Sequence, residues 1–441
     1  MFQSQVRISD VFNGLGQPKN TYVAQENGYY EDLLREGIES RGKLCLLTGS
    51  SKTGKTTLYR KILADMNLQP LIVRCDESLS SEEFWRYPLE KANFRRLTSI
   101  EGGYEAEISG EVKSQGSIGW GWLAQLLGEV SLGVSASHSE AKIREKILSK
   151  PSPSRLIPLL RETNAFLVVE DFHYLSEETQ RHIFQQWKIF SDEQVSVIVV
   201  GTTHHASDLA YANSDLLGRI VQIDLQRWMT DDLEKIADRG FKFLGMRSPT
   251  KAIKVIAKES VGLPIIMQQA CAQLFLDKGI RTVSKDNPPM LLLEKHAYSA
   301  LHNVAYRNYA QFENWYERLV AGARKKARRF NTYELLLTTF IQDPLRFSLK
   351  RLEIDERMLK IPLPEAKRPP SGSVTSTLNA IEGVQKRNGF EILEWSKRDK
   401  ALYILEPAFL FYLRWREARK SAPNLIESLG SLLSSFFSNN Y

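Results

Sequence analysis

Residues 49–56 read Gly49-Ser50-Ser51-Lys52-Thr53-Gly54-Lys55-Thr56. The apolar run Leu44-Cys45-Leu46-Leu47 precedes them, and a helix-like segment over residues 57–63 follows. Strand, glycine-bounded loop and helix together are the setting in which this spacing cradles a phosphate. The glycines let the backbone curl until several N–H groups converge on one anion, and the helix N-terminus adds the positive end of its dipole. Lys55 is placed to neutralise the β- and γ-phosphates of a nucleotide. The Thr56 hydroxyl is placed to ligate Mg²⁺, and Thr57 to help cap the helix. The stretch therefore predicts a nucleoside triphosphate site on an α/β fold.

The chain of 441 residues is long enough for roughly two to three domains. Its hydrophobic share of 42% suits a soluble protein with a buried core. No run of about eighteen apolar residues is present, so no membrane-spanning helix is expected. The first ten residues lack an apolar signal core, which points to the cytoplasm. Cys45, Cys75 and Cys271 each sit in apolar surroundings without a CxxC partner. That spacing supports neither a zinc site nor a disulfide framework. The net charge of +7 is unevenly spread: residues 301–441 hold 23 Lys/Arg against 15 Asp/Glu. A basic C-terminal third suits nucleic acid, and equally a solvated charged surface.

Beyond the loop, apolar runs alternate with helical patterns, as in a mostly parallel sheet covered on both faces. Strands are expected over 70–75, 165–169, 195–200 and 220–225. Helices are expected over 80–94 and 207–217. The run Ala165-Phe166-Leu167-Val168-Val169 ends in Glu170-Asp171. Carboxylates at the C-terminal end of a buried parallel strand lie where a metal ion and a water would meet the phosphates.

With the loop and the acid pair in place, the chain resembles the phosphate-loop NTPases, and within them the AAA+ and STAND ATPases, over roughly residues 30–280. The resemblance implies ATP and Mg²⁺ as cofactors, with residues 49–57 binding nucleotide. It gives Glu170 the metal-associated position and Asp171 the place of the usual catalytic Glu, in the reverse of the common Asp-Glu order. Thr202 or Thr203, at the end of the fourth strand, takes the role of the first sensor. Arg219, just before the fifth strand, takes that of an arginine finger reaching a neighbouring subunit; an arginine at a helix end suits the dipole equally. The lid lacks a second-sensor arginine, and Gln268 and Gln269 stand there. Gly262-Leu263-Pro264 resembles the STAND motif whose proline touches nucleotide. The same tripeptide also simply starts helices. Lid helices are expected over 230–244, 249–259 and 265–276. Upstream, Asn20-Thr21-Tyr22-Val23 is either a wall of the adenine pocket or a plain surface strand.

Residues 97–140 alternate apolar and polar positions around Trp120 and Trp122, the pattern of a long β-hairpin. Three fates stand open for it: packing on its own or a neighbouring subunit, lining a ring's channel, or insertion into a membrane as part of a barrel.

Residues 286–328 look helical and aromatic, followed by the basic run 324–329. Asn331 is placed to cap a helix over 333–341. After a proline-rich connector over 361–370, Ser371-Gly372-Ser373 is placed to cap a helix over 374–387. Residues 390–395 and 402–405 pair as a hairpin with a basic tip. Helix, helix and hairpin resemble a winged helix-turn-helix. On DNA, Thr375, Ser376 and Asn379 would face the major groove, and Lys397, Arg398 and Lys400 would hold phosphates. The same module serves as a clamp on protein in STAND ATPases. Residues 424–437 carry an amphipathic pattern without Lys or Arg, which suits docking on protein better than on a membrane.

The expected organisation is an N-terminal segment (1–30), an α/β parallel-sheet P-loop NTPase core (31–228) with its inserted β-hairpin (97–140), an α-helical lid (229–285), a linker with C-terminal winged helix-turn-helix (286–420), and a tail (421–441). The expected function is a slow ATP-hydrolysing switch that forms a homo-oligomer and acts on an effector protein, with defence signalling as one setting. The alternative is an ATPase on double-stranded DNA, similar to replication initiators or transposition regulators.

Overall fold

A computed structural model describes residues 5–14, 16–91, 123, 127, 140–201, 216, 218–284, 291–322 and 330–421. The chain forms two compact units. One is Glu26–Gly49 with Gly54–Leu225; the other is Met1–Gln25, Ser50–Thr53 and Gln226–Tyr441.

The first unit is built on a parallel sheet of β1 (Leu44–Gly49), β2 (Gln69–Arg74), β3 (Ala165–Glu170), β4 (Val197–Val200) and β5 (Ile220–Leu225), in the order β2-β3-β4-β1-β5. Every residue of β1 and β4 is buried. Alternation splits β1 between the two faces. Leu44 and Leu46 join a core with Val169, Phe184 and Trp187. Cys45 and Leu47 join another with Leu34, Tyr59 and Ile62. The covering helices include α1 (Tyr29–Glu39), α2 (Lys55–Asp65), α3 (Ser81–Lys91), α4 (Pro153–Glu162) and α5 (Glu177–Asp192). Helix α1 lies so close to the sheet that a Cβ on Gly37 would stand 2.8 Å from the Cys45 sulfur.

The second unit opens with a short antiparallel pair, Val6–Arg7 with Thr282–Val283. Its helices are α6 (Thr230–Phe243), α7 (Thr250–Glu259), α8 (Pro264–Leu276), α9 (Glu294–Asn308) and α10 (Gln311–Ala321). Then come α11 (Thr332–Phe340), β6 (Ser348–Lys350), α12 (Arg351–Lys360), α13 (Ser371–Asn388), β7 (Leu393–Ser396), β8 (Ala401–Ile404) and α14 (Pro407–Ser421). The three strands form an antiparallel sheet in the order β6-β8-β7. A single apolar core runs through the unit.

Several local expectations need correction. Gly54, in the left-handed conformation, precedes α2, so Thr57 is its third residue and not its cap. Asn331 stands before α11 but its side chain makes no capping bond. Helix α13 begins at Ser371, with Pro370 before it, so the Ser-Gly-Ser run lies inside the helix. Proline suits such a start because it has no N–H to leave unpaired. Segment Asn20–Val23 is not a strand, and Thr21 is buried with its hydroxyl donating to the Val11 carbonyl. Strand β6 and helix α12 fall where no element was expected. The basic run 324–329, the amphipathic stretch 424–437 and most of 97–140 lie outside the described residues.

Within the second unit, Arg414 on α14 is 1% exposed and meets Glu259 at 2.6 Å, with Asp343 at 3.4 Å. Burying two charges is costly, and the attraction offsets that cost only while both remain. Either Arg414→Met or Glu259→Leu alone is expected to destabilise the fold by about 3–5 kcal/mol, and the double substitution by far less. Thermal melts of the three variants measure the difference.

Candidate nucleotide site

Parallel strands deliver their C-terminal residues to one edge of a sheet, and ligands bind there. In this sheet the register sets Glu170 beside Arg74 and Asp224 beside Thr48. The phosphate-loop pattern leaves β1 at that same edge. Its backbone turns through positive φ at Gly49 (137°), Lys52 (65°) and Gly54 (105°). Glycine adopts such values freely, whereas a lysine there carries strain, a feature common where backbone must approach a ligand.

The Lys55 ammonium donates to the Gly49 carbonyl at 2.8 Å. Burial holds its pKa down to about 8, opposed by the charges of Asp171 and Asp224. Thr48 donates its hydroxyl to Asp224 at 2.8 Å, fixing that acid at the end of β5. The Thr53 hydroxyl donates to the Ser50 carbonyl at 2.9 Å and closes the loop's tip upon itself.

Glu170 is 7% exposed. Its Oε1 lies 3.4 Å from the Thr56 hydroxyl and 2.8 Å from that of Tyr59, and its Oε2 lies 3.1 Å from Arg74 Nε. Asp171 follows in a left-handed conformation, φ 60°. Burial first, and Glu170 second, push the Asp171 carboxyl up, while Lys55 and Arg74 pull it down. Glu170, beside the Thr56 hydroxyl, is placed to hold a cation, and Asp171 follows it at the same strand end.

The residues fit Mg²⁺. Thr56 and Glu170 offer two hard oxygen donors within the reach of one ion. No group of three or more His, Cys, Asp and Glu forms a closed metal cage among the described residues. Magnesium favours such a partial shell, completed by water and substrate phosphates. When bound, it would neutralise charge on the phosphates and orient them.

Other expected residues fall elsewhere. Thr202 and Thr203 lie outside the described residues. Arg219 pairs with Asp192 at 2.6 Å. Pro264 opens α8 in the second unit. There Gln268 donates to Thr21 at 2.6 Å, and Gln269 accepts from the Tyr309 hydroxyl at 2.9 Å. Thr375, Ser376 and Asn379 are exposed on α13, and Lys397, Arg398 and Lys400 are exposed between β7 and β8.

Sequence reading missed Tyr59, Arg74, Thr48 and Asp224. Each was findable: Tyr59 stands three residues after Thr56, the spacing of helix neighbours, and the others close strands that flank the loop and the acids. No helix among the described residues is long and apolar enough to cross a membrane.

Residues 45–225 match the family model for AAA, the ATPase family associated with various cellular activities. No curated protein matches the chain. Among solved structures, a Walker-type ATPase of Pyrococcus abyssi is similar at 14% identity and a TM-score of 0.47, over 88% of this chain and 95% of that one. The Orc1 protein of Aeropyrum pernix, solved in complex with DNA, is similar at 12% and 0.41, over 96% and 99%. The RuvB Holliday junction branch migration motor of Thermotoga maritima is similar at 14% and 0.38, over 90% and 97%.

Replacing Lys55 by Ala is expected to weaken nucleotide binding about 10- to 100-fold, the worth of one hydrogen bond to a charged group. Titration with a fluorescent nucleotide measures it, and undiminished binding would remove Lys55 from the site.

Proposed function

We propose that this ATPase, whose AAA domain uses ATP with Mg²⁺, works as a slow nucleotide-gated switch of the STAND type. In this proposal ATP drives a cytoplasmic homo-oligomer to act on an effector protein, and hydrolysis resets it. Defence signalling is one setting that suits such a device.

The observation that carries this reading is the bonding of the loop's tip. Ser50–Thr53 belongs to the same compact unit as residues 226–441. There the Lys52 ammonium meets Glu406 at 2.8 Å and lies 5.9 Å from the centre of the Tyr309 ring. The Trp228 indole donates to the Thr53 carbonyl at 2.8 Å. A phosphate binding on those loop amides competes with Glu406 for Lys52. Occupancy of the loop is thereby coupled to residues far along the chain, which is the differential contact a switch needs.

Slow turnover follows from the same set of roles. Glu170 holds the cation and Asp171 takes the water's proton, from a side chain one methylene shorter than the usual Glu. The two lid glutamines bring no positive charge to the phosphates. Arg219 acts as a finger only if it leaves Asp192 for a neighbouring subunit's nucleotide.

A second reading, an ATPase on double-stranded DNA, has its own support. Helix α11, strand β6, helices α12 and α13, and strands β7 and β8 follow the order of a winged helix. The exposed Thr375, Ser376 and Asn379 then form the reading face, and Lys397, Arg398 and Lys400 the phosphate-holding wing.

Asp171→Asn is expected to slow hydrolysis by roughly 10²–10⁴-fold, the usual worth of a general base, with nucleotide binding kept. Unchanged turnover would sink that role. Particle size separates the two functions. The switch requires growth with ATP and not with ADP, enhanced by Glu406→Gln, without any need for DNA. Salt-sensitive DNA binding that vanishes on neutralising Lys397, Arg398 and Lys400 would decide for the second reading.

A further inference from the structure

Tyr59 is fully buried, at 0% exposure, although a phenol commonly keeps its hydroxyl in water. It sits one helical turn beyond Thr56 on α2, so both side chains rise on the same side. Its hydroxyl donates to Glu170 Oε1 at 2.8 Å, the same oxygen that faces Thr56 at 3.4 Å. Behind it, Arg60 Nε donates to the Tyr59 oxygen at 3.4 Å. That approach turns the phenolic proton towards Glu170, and a donor that itself accepts a bond donates more strongly.

We infer that Tyr59 is a positioning residue that orients Glu170 for the divalent cation of the bound nucleotide. A glutamate carboxylate swings on three side-chain torsions. Besides the longer contact from Thr56, two donors hold this one, and they differ in kind. Arg74 takes Oε2 from a side chain 69% exposed, which can move away into solvent. Tyr59 takes Oε1 from within the core, where close packing restricts its movement. Each carboxylate oxygen offers two lone pairs. The phenol occupies one on Oε1, and the other is met only by the long contact from the Thr56 hydroxyl at 3.4 Å, which a cation between the two oxygens would replace. Tyr59 thus fixes the ligand without competing for it. Such outer partners of a ligating carboxylate commonly set metal affinity by 10- to 100-fold.

The inference rests on Glu170 and Thr56 as the cation pair, so its test separates the two ideas. The probe is a fluorescent ATP analogue, titrated against the full chain in EDTA and then against rising Mg²⁺. Tyr59→Phe keeps the buried ring and removes only the hydroxyl. It is expected to raise the Mg²⁺ concentration at half-effect about tenfold or more, while affinity in EDTA stays within about twofold. Arg60→Met, altered from the solvent side, is expected to move the midpoint in the same direction by a few-fold. This second variant keeps the test open if the first should fail to fold. An unmoved midpoint in Tyr59→Phe overturns the inference. So does an equal loss of affinity in EDTA, which would make Tyr59 a support of the helix alone. Glu170→Gln reports on the premise: if it leaves the midpoint unmoved, the cation pair is wrong. If it shifts the midpoint and Tyr59→Phe does not, only the role of Tyr59 falls.

Discussion

The site depends on one strand being paired on both sides. Strand β1 runs between β4 and β5, all three parallel. It is paired as far as Leu47 on the β4 side and Gly49 on the β5 side, and the loop that follows starts from a rigid base. The parallel sense brings Glu170, Asp224 and the loop to one edge without any further design. Alternation along β1 then anchors it in two separate cores, through Leu46 on one face and Leu47 on the other. A one-residue slip would exchange those faces and carry Thr48 away from Asp224. Register is the constraint from which the chemistry of the site follows.

Much of the first unit was legible in the sequence, for a physical reason. Strands buried on both faces read as near-continuous apolar runs, as 44–47, 165–169 and 195–200 do. The loop was legible because phosphate leaves few alternatives to glycine, lysine and threonine at fixed spacing. Cross-strand partners were not legible. Nothing in the segment around Arg74 states that Glu170 will stand beside it; that neighbour arises only once β2 and β3 pair. Tyr59 was hidden differently, since an aromatic on a helix looks like core, and it is core apart from its one hydroxyl.

The second unit was harder for a related reason. Strand β6 has only three residues and α12 ten, below the length where periodicity speaks clearly. Helix α12 also exposes Leu352 and Leu359, which blurs its amphipathic pattern. The helix caps failed similarly. Asn331 and the Ser-Gly-Ser run carry the right chemistry, but a cap is a matter of backbone angle, which composition alone does not set.

The pairing of Glu170 with Arg74 has one more consequence. Around the loop, Glu170, Asp171 and Asp224 are set against Lys55, Arg74 and, through Tyr59, Arg60. This set of side chains is balanced in formal charge, and Lys52 of the loop has its own partner in Glu406. The site stores no large surplus of positive charge with which to capture a bare polyanion. A nucleotide that arrives with its own dication would bring most of the missing compensation. Discrimination between metal-bound and metal-free nucleotide would then follow from the resting charge balance, in place before any ligand arrives.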